Sequence, residues 1–134
     1  LYSSAASDVY KRQMKRVLIL GTDAPMREMV ASVLSDADIR VYGAGRLADV
    51  DDECRCGMFD LVVMLGAVPF FDGSDVVSRL RPHGIKRPEI FVISWQQSEQ
   101  TVMSLLECGV NQYMTFPVNM RRFCRKVRDS ILSR

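Results

Sequence analysis

The chain of 134 residues has room for one compact domain, and 48% apolar and 25% charged residues with a formal charge of +2 are ordinary for a soluble globular protein. Its longest apolar runs, such as residues 61–65 and 90–93, fall far below the roughly 20 residues that a membrane-spanning helix needs, so composition speaks against a membrane protein.

Residues 1–13 are read as a non-native or disordered leader, because Asp8-Val9-Tyr10-Lys11-Arg12-Gln13 matches one frame of a common transposon-end sequencing adapter. The domain is therefore expected over residues 14–134, starting at Met14. The first strand, residues 16–20, delivers Gly21, Thr22 and Asp23. Asp23 as N-cap and Pro25 in the first turn predict a helix to about Leu34, with Met26, Val30, Val33 and Leu34 at helical spacing. A second strand over 39–42 leads through Gly43, Ala44 and Gly45 to an acidic helix over 47–56, ended by Gly57. The glycine pair lacks the full phosphate-loop fingerprint and follows the wrong strand for one.

A third strand over 61–65 precedes a helix over 74–80, stopped by Pro82 and Gly84. The fourth strand, 90–94, is followed by a helix over 98–108 that turns Val102, Leu105 and Leu106 inward and stops at Gly109. A fifth strand over 112–115 and a last helix after Pro117 complete the order, with Phe123, Val127 and Ile131 spaced to cover a sheet. This alternation predicts an α/β, flavodoxin-like (βα)5 doubly wound sandwich, its parallel sheet ordered 2-1-3-4-5. The continuous apolar character of strands one, three and four marks them as interior, and the mixed second and fifth as edges.

In such sheets the functional crevice lies beyond the carboxyl ends of the strands. Its expected residues are Gly21, Thr22, Asp23, Leu65, Gly66, Ala67, Ser94, Trp95, Phe116 and Pro117, of which only Asp23 is acidic. Magnesium prefers carboxylate oxygens, and phosphoryl transfer needs a nucleophile and a cation, so this set is poor in both chemistries. Cys54, Cys56, Cys108 and Cys124 lack metal-site spacing, and the only histidine, His83, is remote in sequence. Reduced thiols and a cytoplasmic location are expected, with no metal and no cofactor.

Val68-Pro69 followed by Asp72-Gly73 resembles the Met-Pro-x-x-Asp-Gly loop of CheY-like response regulator receiver domains, and the resemblance spans residues 14–134. It places Leu65 at the phosphoacceptor aspartate, Gly21 and Thr22 at the metal-binding acidic pair, and Phe116 at the lysine. A shift of one residue in the first strand would put Asp23 in the pair. Ser94, Tyr113 and Pro117 match the switch hydroxyl, the switch aromatic and the proline, often cis, after the lysine. Trp95 stands where the family favours a small residue, and Leu65, Trp95 and Phe116 are expected to close the crevice. The resemblance thus implies a pseudo-receiver with no catalytic residues.

Function is then expected in binding. Arg121, Arg125 and Arg128 on the last helix, and Glu99, Met103 and Glu107 on the fourth, form stripes of opposite charge that a self-complementary two-fold contact can use. The last helix resembles that of receivers belonging to winged-helix transcription regulators of the OmpR/PhoB type. That resemblance implies a homodimer through the fourth helix, fifth strand and fifth helix, with a DNA-binding output domain or another signalling protein as a further partner. The basic residues of the last helix come without a recognition motif and with little aromatic interleaving, so no direct nucleic-acid contact by this domain is expected. Two alternatives remain: a receiver regulated by a small apolar ligand near Trp95, and a residual Mg²⁺-dependent receiver using Asp23.

Overall fold

The computed structural model describes residues 14–50, 57–66, 73–81, 87–95 and 98–132. The leader over 1–13, most of the acidic helix, Cys54, Cys56, His83, the Pro82 and Gly84 stops and the Val68-to-Asp72 loop motif lie outside the described residues.

Five parallel strands, β1 (Lys15–Leu20), β2 (Ile39–Ala44), β3 (Leu61–Leu65), β4 (Glu89–Ser94) and β5 (Gln112–Thr115), form one sheet in the order β2-β1-β3-β4-β5. The expected order holds, and β2 runs two residues longer than its sequence pattern suggested. All five residues of β3 are buried, whereas β2 is mixed and β5 half-buried throughout, as befits edges.

Among the described residues, four α-helices pack on the sheet: α1 (Ala24–Leu34), α2 (Gly73–Leu80), α3 (Glu99–Glu107) and α4 (Met120–Ile131). The described part of the expected acidic helix is a 3-10 turn, Leu47–Val50. Strand alternation divides the core in two. Leu18, Leu20, Val62, Met64, Ile90 and Val92 meet Val77 and Leu80 of α2 and Leu105 of α3. Val17, Ile19, Leu61, Val63, Phe91 and Ile93 meet Val30 and Leu34 of α1 and Phe123, Val127 and Ile131 of α4. Thus α1 and α4 share one face of the sheet, and α2 and α3 the other.

The helix ends follow their sequence signals. The Asp23 side chain accepts from Met26 N at 3.1 Å, and Ser98 from Thr101 N at 3.4 Å. Gly109, at φ 112°, ends α3 in a conformation that side chains resist. Asn119, whose Oδ1 accepts from Arg122 N, caps α4 two residues beyond Pro117. One inward assignment is corrected: Leu106 is exposed, because α3 covers the sheet with a narrower stripe than the apolar spacing suggested, and Val33, at helical spacing on α1, is exposed as well.

Candidate functional site at the carboxyl end of the sheet

Leu65 ends β3 as a buried residue on the α1/α4 face, next to Phe116 in the same core cluster. Gly21 follows β1, and its N–H donates to Ala44 O at 3.0 Å. The two are packed so closely that a Cβ on Gly21 would lie 2.9 Å from Leu65 Cβ and 3.2 Å from its carbonyl oxygen. A side chain at Gly21 therefore has no place while Leu65 keeps its position. Thr22 is exposed beside them.

Asp23, the one acid expected in the crevice, is engaged as the cap of α1. Arg27, one turn into that helix, donates from Nη1 to Gly21 O at 2.5 Å, and its side chain lies along Gly43 and Gly45. The end of β1 thus faces a guanidinium. Gly43 and Gly45 serve as the flat floor beneath it. Arg27 was not among the residues expected in the crevice; a long cationic side chain one turn from a glycine-ended strand was the available signal.

At the end of β4, Ser94 is buried, and its carbonyl accepts from Phe116 N at 3.0 Å. Phe116 is buried, and the Trp95 ring lies over it with centroids 4.8 Å apart and planes tilted by 31°. Trp95 itself remains 67% exposed. The expected closure therefore belongs to Leu65 and Phe116, while Trp95 forms an outer layer facing solvent. The Phe116–Pro117 peptide is cis, with Pro117 exposed, and Tyr113 is half-buried against the α2/α3 side of the core.

These residues do not fit a Mg²⁺ ion. The positions from β1 and β3 supply a glycine, a threonine and a leucine, and the Asp23 carboxylate that follows accepts from a backbone N–H. Among the described residues no group of three or more His, Cys, Asp or Glu side chains could hold a metal.

The family follows from the sequence as well. Residues 17–128 match the family model of the response regulator receiver domain. The chain belongs to that family. It is 26% identical over 113 residues to the transcriptional regulatory protein KdpE of Staphylococcus aureus, covering 84% of this chain and 48% of that protein. The chain thus spans about half the length of the curated relatives it matches. Among solved structures, a response regulator from Thermotoga maritima superposes with a TM-score of 0.77 at 16% identity, covering 90% of this chain and 99% of that one. The beryllofluoride-activated NtrC4 receiver domain dimer does so with 0.76 at 18%, covering 90% and 98%. At such identities these two establish the fold alone. Receivers work in two-component signalling, and no helix among the described residues is long and apolar enough to cross a membrane.

The structure also redistributes the charges expected on one dimer face. Arg121, Arg125 and Arg128 line a groove between α4 and α1, together with Val33, Met120, Cys124 and Asp129. Arg128 pairs with Asp36, and Cys124 Sγ donates to Val33 O at 3.6 Å. Burial pushes the Cys124 thiol above its ordinary pKa. It is Arg122 and Lys126 that stand beside β5, where Lys126 Nζ donates to Gln112 Oε1 at 3.3 Å. The reason is helical phase: with Phe123, Val127 and Ile131 buried, positions 121, 125 and 128 turn past the crest of α4 to the Cys124 side. Glu99, Met103 and Glu107 are exposed on α3, across the sheet from that groove.

Proposed function

We propose that this receiver is a pseudo-receiver: it takes no phosphoryl group, catalyses nothing, and acts by presenting protein-contact surfaces in cytoplasmic signalling or transcription control. The observation that carries this reading is the packing of Leu65 directly on Gly21. It puts apolar contact where phosphoryl transfer needs a nucleophile and metal-binding carboxylates. Phe116 adds to it, since a buried ring cannot neutralise a transferred anion as a lysine would. The likeness to KdpE supports transcription control, with an output domain or another signalling protein as partner.

Incubation with Mg²⁺ and a small-molecule phosphodonor, followed by intact-mass measurement, should leave the mass unchanged. A phosphoryl adduct that disappears in Asp23→Asn would overturn the reading.

A second reading, a two-fold homodimer through α3, β5 and α4, is favoured by Arg122 and Lys126 beside β5. They take the place of Arg121, Arg125 and Arg128, opposite Glu99, Met103 and Glu107. The NtrC4 neighbour is itself a receiver dimer. If this two-fold contact is the one that forms, Arg122→Gln with Lys126→Gln abolishes a self-association that stops at two.

A further inference from the structure

Two exposed apolar patches of opposite charge lie on opposite faces of the sheet. On α3, Glu99, Met103, Leu106 and Glu107 fall at i, i+4, i+7 and i+8, and all four are exposed, Met103 by 50% and Leu106 by 40%. This is an outward stripe of two apolar side chains between two acids. On the other face, the groove between α1 and α4 has an apolar floor of Val33, Met120 and Cys124, and exposed Arg121 and Arg125 on its rim.

A two-fold contact made by the α3 stripe alone would set glutamates against glutamates, and one made by the groove alone would set arginines against arginines. The α3 stripe of one copy on the groove of another matches acid with base and apolar with apolar. We propose that the chain self-associates head to tail, with Met103 and Leu106 of one copy seated on Val33, Met120 and Cys124 of the next, and Glu99 and Glu107 facing Arg121 and Arg125. The proposal deepens the reading of the domain as an interaction module and rests on it. Since donor and acceptor patches lie on opposite faces, a bound pair leaves one of each open, so association does not close at two. Since α3 serves this contact, the two-fold homodimer excludes it.

The test is sedimentation of the full chain at low salt over rising concentration, with phosphodonor labelling as an independent readout of the pseudo-receiver reading. The expected weight-average mass passes twice the monomer mass and falls back when salt is added. Glu99→Gln/Glu107→Gln and Arg121→Gln/Arg125→Gln, changes of exposed side chains that should leave circular dichroism unchanged, should each be monomeric alone. Mixed, they retain one intact contact and should form a 1:1 pair that grows no further. A wild-type mass that stops at two and depends on Arg122 and Lys126, an association indifferent to Arg121→Gln/Arg125→Gln, or a monomer at every concentration would each overturn the proposal. An unlabelled mass in any of these cases leaves the pseudo-receiver reading standing; a phosphoryl adduct overturns that reading separately.

Discussion

A methyl group on Gly21 would sit 2.9 Å from Leu65 Cβ, closer than side-chain carbons approach each other. The residue at the end of β1 and the residue at the end of β3 therefore constrain one another, and an acid at 21 would require β3 to shift. Gly21→Ala should destabilise the fold by about 1–3 kcal/mol, the usual cost of overpacking. Urea unfolding measures it, and an unchanged midpoint would mean that Leu65 is free to move. Leu65 could be placed from sequence because the Asp72-Gly73 loop motif fixes the register after β3. The contact with Gly21 could not, since 44 residues separate the two and only the parallel pairing of β1 with β3 brings them together.

At the scale of elements, strand positions were legible because interior strands of a parallel sheet are apolar throughout, and helix starts because Asp23 and Ser98 are good caps. The side on which a surface residue emerges was not. Arg121, Arg125 and Arg128 are visibly off the buried stripe, yet spacing alone does not say whether they lean toward α1 or β5. That depends on the neighbours the fold supplies, Val33 on one flank and Gln112 on the other. Arg81 was missed for the same reason. Just past α2, it donates from Nε to Pro88 O and from Nη1 to Gly109 O, each at 2.8 Å, and from Nη2 to Asn111 Oδ1. It ties together three segments that are distant in sequence. Burial lowers its pKa from the ordinary arginine value, and Glu89 acts in the opposite direction. Arg81→Ala should cost at least about 1.5 kcal/mol, the low end for a hydrogen bond to a charged group. Thermal unfolding measures this, and a variant as stable as the parent would show the clamp to be dispensable.

For the whole molecule, a receiver fold is kept and apolar packing occupies the carboxyl end of its sheet. Leu65 and Phe116 continue the core into the crevice, Arg27 closes over the end of β1, and Trp95 covers Phe116 from outside. On the pseudo-receiver reading proposed above, the scaffold that orients phosphoryl chemistry in other receivers would instead support contact surfaces: the α3 stripe, the β5 flank and the α1/α4 groove. On that reading this end of the sheet should no longer respond to metal or phosphoryl groups. Trp95, the single tryptophan, stacked on Phe116 and two-thirds exposed, reports on it directly. Its fluorescence should stay flat when Mg²⁺ and then a small phosphodonor are titrated into the protein. A saturable, Mg²⁺-dependent change would contradict the account and return the domain to the phosphorylated receivers.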